Sequence, residues 1–288
     1  MPVHCVSPSA LTAITRTVTV AAGRFAPGHL GELTPIMPFE LVETGARAVI
    51  GAVFGPTREG ETSYSTRLLH HPDPKMLVLW DRGFDGNDFL AAVHATGAQV
   101  LGRISRRRRP PVLQQLADSS YLSVIGGVPV RIIEARVNVT CADGSTFEDS
   151  CRLVTTLLDA RRYPADHLVR LYHERWEHES AYYALRRTIL HGRVLRSHDP
   201  VGIEQEMWAL LTLYQLLRRT MVEAAESQPG TDPDRCGFTT ALQTTRNLLV
   251  SAGHILRAPA RPVRESRGPA QFSATNVTRA RGVTGRPE

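Results

Sequence analysis

The pattern of apolar and polar positions in the first half of the chain predicts the core of an α/β fold. Residues 39–43 alternate between apolar and polar side chains and residues 47–54 form a second apolar run, so the two predict a β-hairpin. Residues 76–80 are continuously apolar, which is typical of a strand buried on both faces. A helical segment at 87–95 separates this strand from another at 99–104. A strand, a helix and a strand within this length indicate a parallel pair.

Two stretches depart from this pattern. Residues 1–36 are rich in Gly, Pro, Ser and Thr without a sustained period, which predicts an irregular segment with one short strand at 18–22. Residues 105–156 contain β-branched runs separated by Gly-Gly and Asp-Gly turn dipeptides. We expect the second stretch to form a β-rich insertion that lies outside the central sheet.

Helical periodicity dominates the rest of the chain. Residues 163–196 predict one helix, residues 201–225 a long and mostly apolar helix, and residues 238–255 an amphipathic helix. The chain therefore divides into an irregular N-terminal segment (1–36), the first part of an α/β core (37–104), a β-rich insertion (105–156), a helical completion of the core (157–225), a linker with a C-terminal helix (226–256) and a disordered basic tail (257–288).

The helix at 163–196 carries charged side chains on a largely apolar stripe. At 100° per residue, Tyr172, Arg175, Glu179 and Arg186 fall within about 60° of one another. Buried charges require partners or a metal ion, so this stripe is a candidate functional surface. The alternative is a solvated surface helix, in which Arg175 and Glu179 form an i, i+4 ion pair that contributes little stability.

Composition and charge favour a polyanionic partner. The formal net charge is +6 and the sequence pI is near 9.5, and Lys75 is the only lysine among the basic residues. Arginine binds phosphate through bidentate contacts. No two of the four cysteines form a Cys-x-x-Cys pair, so neither a zinc site nor a disulfide framework is indicated. No apolar run reaches the roughly 18 residues that a membrane span requires, so we expect a cytoplasmic protein without a membrane partner.

Two motifs resemble those of a known family. The spacing of Tyr172, Arg175, Glu179 and Arg186 resembles the Tyr-Arg-Glu-Lys signature of the DDE transposases of the insertion-sequence-four family, with arginine in place of the lysine. The Asp-Arg-Gly-Phe tetrapeptide that begins at Asp81 directly follows the buried strand, and it is similar to the segment around the second catalytic aspartate of that family.

The resemblance implies both a fold and a chemistry. The fold would be ribonuclease-H-like α/β, a mixed sheet with flanking helices and an inserted β-rich subdomain. Asp81 and Glu179 would be catalytic ligands of two Mg²⁺ or Mn²⁺ ions that promote DNA cleavage and strand transfer. Their carboxyl carbons should then lie within roughly 8 Å of each other. Tyr172, Arg175 and Arg186 would contact DNA, with transposon ends and target DNA as partners of a homodimer associated with the nucleoid.

The sequence departs from the family pattern at the first catalytic aspartate. That residue belongs on the first strand of the fold, yet no aspartate precedes Asp73. None of the upstream glutamates is a convincing replacement, and the most plausible are Glu40 and Glu43 on the predicted hairpin. We therefore expect an N-terminally truncated, inactive copy whose first strand is missing.

Two alternative functions stay open at this point. Besides a transposase, the chain could be a binding-only remnant, which binds DNA or pairs with full-length transposase and inhibits it. The other alternative is a metal-dependent nuclease of the same fold. Strand-transfer activity distinguishes a transposase from the binding-only protein. Products joined to target DNA, as opposed to simple cleavage, distinguish it from the nuclease.

Overall fold

The structure, a computed structural model, describes residues 14–22, 36–56, 59–140, 146–197, 199–231 and 236–257. The chain forms two compact units, Met1–Ala181 and Tyr182–Glu288, and each is described by itself below. The prediction of a disordered basic tail after Arg257 lies outside the described residues.

The described residues of the first unit form one mixed sheet with flanking helices. The strands are β1 (Arg16–Ala22), β2 (Ile36–Glu43), β3 (Val49–Pro56), β4 (Met76–Trp80), β5 (Gln99–Arg103), β6 (Gln114–Gln115), β7 (Tyr121–Ile125), β8 (Val128–Thr140) and β9 (Thr146–Thr155). Their order in the sheet is β3-β2-β1-β4-β5-β9-β8-β7-β6. The main helices of this unit are α1 (Glu61–Arg67), α2 (Asn87–Ala95) and α3 (Ala165–Tyr172).

Strand β1 belongs to the centre of this sheet. It pairs parallel with β4, where Thr19 lies beside Leu79, and antiparallel with β2 on its other side. The expectation that the first strand of the fold is missing is therefore wrong. The short strand predicted at residues 18–22 is part of β1, in which Val18 and Val20 are fully or almost fully buried. Its local pattern does not reveal that it pairs with β4.

The segment at 105–156 is rich in β-strands that continue the central sheet. Strand β9 pairs antiparallel with β5, so that Leu101 lies opposite Thr155, and β8 pairs with β9 along its length. The expectation that this segment lies outside the central sheet is wrong, because β9 satisfies the backbone groups along the free edge of β5. The predicted Gly-Gly turn joins β7 to β8, with φ of 56° at Gly126 and 82° at Gly127, whereas the predicted Asp-Gly turn lies outside the described residues.

Strand β4 is buried on both faces, as its continuous apolar sequence predicts. Val78 and Trp80 belong to one apolar core, which also contains side chains of α1 and α2. Leu77 and Leu79 belong to the opposite core, together with Leu168 of α3. Strand β4 therefore packs against α3. The candidate site is formed by residues that lie at or directly after the carboxyl ends of these two elements.

The helical segment after α3 changes its winding three times. A 3-10 turn spans His173–Trp176, the helix α4 spans Glu177–Tyr183, and a π-helical turn spans Ala184–Ile189. The expectation of one uniform α-helix over residues 163–196 is wrong, since a 3-10 residue turns the chain by about 120° and a π-helical residue by less than an α-helical one. Side-chain directions must therefore be taken from the contacts themselves.

The second unit is built on α5 (Pro200–Glu226) and α6 (Phe238–Arg257). Asp199 caps α5, because its Oδ1 accepts a hydrogen bond from the Gly202 amide at 2.9 Å. The ring of Tyr214 on α5 stacks on Phe238 of α6 at a centroid distance of 5.4 Å. Both helices occur where the apolar periodicity predicts them.

Two further findings concern the described residues as a whole. None of the described helices is both long enough and apolar enough to cross a lipid bilayer. Among the described cysteines, Cys151 and Cys236 are free thiols.

Candidate active site

The first residue of the candidate site, Asp81, directly follows the buried strand β4. Its Oδ1 accepts a hydrogen bond from the Arg82 amide at 2.6 Å and so caps a short 3-10 turn. Its Oδ2 lies 3.8 Å from Nη1 of Arg175. One oxygen therefore orients the side chain while the other faces the helical segment after α3.

The helical segment places Tyr172 and Arg175 beside Asp81. Tyr172 is buried in the core that holds Leu77 and Leu79, and burial raises the pKa of its phenol to about 12. The Arg175 guanidinium carbon lies 5.8 Å from the centre of the Tyr172 ring, and the arginine side chain is only 13% exposed. The phenol therefore stays protonated at neutral pH, next to a largely desolvated positive charge.

Glu179 on α4 joins this group of side chains. Partial burial raises the pKa of the Glu179 carboxyl, the Arg175 charge lowers it, and the Asp81 charge raises it again. The two carboxylates thus interact with each other as well as with the same guanidinium. The structure therefore brings together four of the five site residues proposed from the sequence, and the predicted separation of roughly 8 Å between the carboxyl carbons stays a prediction.

The fifth residue, Arg186, belongs to the second unit. It lies on the π-helical turn Ala184–Ile189, and its side chain is exposed. Its predicted contact with DNA stays a prediction.

Ion pairs and hydrogen bonds attach the helical segment to the hairpin of β2 and β3. Oγ1 of Thr44 donates a hydrogen bond to Glu174 at 2.9 Å, and the Arg47 guanidinium forms an ion pair with Glu177. Both contacts join residues that are 130 positions apart in the chain. They position α4, and with it Glu179, over the sheet.

The strand register shows which residue stands where the first catalytic aspartate is expected. Thr19 of β1 lies beside Leu79 of β4, and the same parallel register continued by two residues sets Ala21 beside Asp81. Adjacent strands at the same end of a sheet are where the family pattern has its two aspartates. On that continued register, Ala21 is the residue at which the first aspartate is expected.

The structure also distinguishes between the two candidate replacements. Glu40 lies directly opposite Ala21 on β2 and is only 1% exposed. Neither of its carboxylate oxygens has a hydrogen-bond partner in the part of the chain that the structure describes. Burial raises the pKa of Glu40 from 4.5 to about 7. Glu43 instead accepts hydrogen bonds from the amides of Gly45 and Ala46 at 2.9 and 2.6 Å and closes the hairpin turn. Only Glu40 is placed next to the site, and the sequence did not separate it from Glu43.

Comparison with known proteins decides the family. The sequence profile of the transposase DDE domain family matches residues 40–216. The chain belongs to the DDE transposase family. Over 222 residues it is 25% identical to the transposase InsG for insertion sequence element IS4 of Escherichia coli strain K12, a match that covers 73% of this chain and 49% of that relative. This relative is of the insertion-sequence-four type that the motifs of the chain resemble, and the chain spans about half of its length.

A solved structure supports the fold of this DDE transposase. The chain is similar to a piggyBac transposase in a cryo-EM structure of its synaptic complex with hairpin DNA, with a TM-score of 0.53 and 9% identity. The match covers 90% of this chain and 60% of the piggyBac chain. At this identity the similarity concerns the fold alone, and it confirms the predicted ribonuclease-H-like α/β class.

The family implies divalent metal ions, and the side chains of this DDE transposase fit them only in part. Asp81 and Glu179 are oxygen ligands of the kind that Mg²⁺ and Mn²⁺ prefer. However, within the described ranges no three His, Cys, Asp or Glu side chains are grouped so that they hold a metal ion. With alanine at position 21, the donor set does not fit the two-ion site of the family pattern.

Proposed function

We propose that this chain is the core of an insertion-sequence transposase that binds DNA across the face formed by Asp81, Tyr172, Arg175 and Glu179. The observation that carries the proposal is the convergence of two carboxylates and a largely buried guanidinium at the carboxyl end of β4. Ligands bind at the carboxyl ends of strands in open α/β sheets. Transposon ends and target DNA are the proposed partners, with a homodimer on the DNA in the cytoplasm.

The side chains of this face suit phosphate binding rather than covalent catalysis by the protein. Arg175 supplies a positive charge that is poorly screened because little of it contacts water. The phenol of Tyr172, with its pKa of about 12, is a hydrogen-bond donor at neutral pH and a poor nucleophile. Tyr172, Arg175 and the exposed Arg186 are therefore proposed as DNA contacts, and Asp81 and Glu179 as the carboxylates nearest the scissile phosphate.

The reaction of the family is metal-dependent DNA cleavage and strand transfer, but we propose that residues 1–288 do not complete it unaided. Two of the three expected carboxylates, Asp81 and Glu179, meet at the site. The register of β1 and β4, continued past Thr19 and Leu79, reaches Ala21 where the first is expected. This observation favours a second candidate function, in which the chain binds DNA or pairs with full-length transposase and inhibits it. A nuclease of the same fold is the third candidate.

The proposed DNA contacts predict a specific binding defect. Arg175→Gln and Arg186→Gln should each weaken binding to a duplex several-fold and reduce the slope of log K against log salt by about 1, because each removes one phosphate contact. Fluorescence anisotropy at several salt concentrations measures both quantities. Arg219→Gln is the matched control, since Arg219 is 77% exposed and pairs with Glu223 on its own helix. Variants that bind like this control would contradict the proposed interface.

A further inference from the structure

A cavity lined mainly by arginines lies in the first unit next to the candidate site. Its volume is about 340 Å³, which is within the range of roughly 300–1,000 Å³ that is typical of ligand pockets. The described residues that line it include no acidic side chain, and they are Arg82, Arg103, Ile104, Ser105, Arg106, Arg107, Ser150 and Arg152.

Strand pairing gathers these arginines from three parts of the chain. Arg82 follows β4, Arg103 ends β5, and Arg106 and Arg107 lie in the turn that comes next. Arg152 lies on β9, and its backbone carbonyl accepts a hydrogen bond from the Ile104 amide at 3.0 Å. The pocket therefore exists only because β9 pairs with β5, and the arginine run at 106–109 reveals only part of it.

Two of the pocket arginines make contacts with the protein that hold their side chains in place. Arg152 forms an ion pair with Glu134 at 2.7 Å and donates a hydrogen bond to the Arg108 carbonyl at 3.0 Å. Its Nε is buried and has no hydrogen-bond partner among the described residues. The Arg106 guanidinium donates a hydrogen bond to the Ser150 carbonyl, which is neutral. Five like charges around one cavity repel one another, and a bound anion relieves that repulsion.

The pocket adjoins the candidate active site. Arg82 directly follows Asp81, and its amide donates a hydrogen bond to the Asp81 carboxylate. The Arg103 charge acts on Tyr172, which also interacts with Asp81 and Arg175. A strand of DNA whose phosphate lies at Asp81 therefore has its neighbouring phosphates within reach of these arginines.

We propose that this arginine pocket binds the phosphodiester backbone of the DNA strand on one side of the reacting phosphate and so positions that strand over Asp81 and Glu179. The inference rests on the proposed function, because it takes DNA as the partner. Guanidinium groups bind phosphate oxygens through paired hydrogen bonds, and such contacts fix the position of DNA without reading its sequence.

The test removes two exposed arginines of the pocket. Arg82→Gln combined with Arg107→Gln should weaken binding to a short duplex of arbitrary sequence and reduce the slope of log K against log salt by about 2, because two phosphate contacts are lost. The control combines Arg16→Gln with Arg219→Gln and removes the same net charge. Arg16 pairs with Asp73 at the opposite end of β1 and β4, so this control should keep the wild-type slope. Thermal unfolding verifies that both double variants are folded.

The outcomes separate this proposal from the proposed function. If the pocket variant and the control bind DNA equally well, while Arg186→Gln weakens binding, the pocket proposal fails and the DNA-binding proposal stands. If wild-type protein does not bind DNA, the proposed function fails with it. If inorganic phosphate raises the melting temperature of the wild type but not of the pocket variant, and DNA binding is equal in both, the pocket binds small anions and the proposal is overturned.

Discussion

Glu40 illustrates how a single residue is shaped by the fold around it. Its carboxyl group lies among buried residues of the sheet, and neither oxygen has a hydrogen-bond partner among the described residues. A buried carboxylate without a partner is costly, so the group retains its proton to a higher pH than usual. Its raised pKa of about 7 makes the stability of the protein depend on pH near neutrality.

The Glu40 carboxyl should destabilise the protein as the pH rises. Its pKa is raised from 4.5 to about 7 in the folded state, so the folded state binds the proton more tightly than the unfolded state does. The protonated Glu40 carboxyl makes its full contribution to the free energy of unfolding below pH 4.5. This contribution is lost as the pH rises through 7, by about 3 kcal/mol in total. Glu40→Gln should abolish most of this loss between pH 5 and pH 8, measured by urea unfolding in EDTA.

The matched control for this prediction is Glu43→Gln. Glu43 accepts hydrogen bonds from two turn amides, so its replacement should lower the free energy of unfolding by about 1 kcal/mol at both pH values. The difference between the two pH values should remain as in the wild type. A Glu40→Gln variant with an unchanged pH dependence would show that another group is responsible.

At the scale of elements, the parallel pair of β1 and β4 indicates where a first carboxylate is expected. The register, continued past its last paired residues Thr19 and Leu79, sets Ala21 beside Asp81. Glu40 of β2 lies opposite Ala21 on its other side. Because alternate residues of a strand point to opposite faces, a carboxylate at position 21 would share a face with Asp81, and one at position 22 would not. The element therefore predicts where a missing ligand can be restored.

Ala21→Asp should create a metal site. With Asp81 and Glu179 it supplies the third carboxylate, so Mn²⁺ or Mg²⁺ should raise the melting temperature, in keeping with about 2.7 kcal/mol of stabilisation at a free ion concentration 100 times Kd. Differential scanning fluorimetry with metal and with EDTA measures the shift. Adding Asp81→Asn should abolish it, and the control Ala22→Asp should show no such shift. A metal-dependent shift in the wild type that Glu40→Gln removes would instead identify Glu40 as the existing third ligand.

At the scale of the whole molecule, the mixed sheet is combined with two carboxylates that meet at one site. The sheet order, the flanking helices and the family match describe a DDE transposase core. Catalysis by two metal ions depends on holding both while charge moves between the attacking and leaving oxygens. The absence of a carboxylate from position 21 should therefore affect chemistry far more than folding or DNA binding.

We predict no detectable strand transfer by residues 1–288 alone, whereas weak, salt-sensitive DNA binding should remain. The loss of one metal-anchoring carboxylate should cost several orders of magnitude in rate. The assay incubates the protein with Mg²⁺ or Mn²⁺ and DNA that carries the ends of the element. Joined products that disappear in Glu179→Ala would show a complete site, with Glu40 as the first carboxylate. Cleaved DNA without joined products would favour the nuclease.

The sequence by itself determined the family, the α/β class and four side chains that meet at one site. Apolar periodicity predicts β4, α5 and α6, and the spacing of Tyr172, Arg175 and Glu179 and the tetrapeptide at Asp81 identify the motifs. These signals can be recognised in the sequence alone because they depend on residues that lie close together in the chain.

Only the tertiary structure decided how distant segments pair. It placed β1 beside β4, extended the sheet through β9, replaced one uniform helix with three windings, and set Glu40 rather than Glu43 next to the site. It also gathered the arginine pocket from three segments. Strand register and side-chain burial arise from contacts between residues far apart in sequence, and a local pattern of apolar and polar residues does not specify which partners those contacts join.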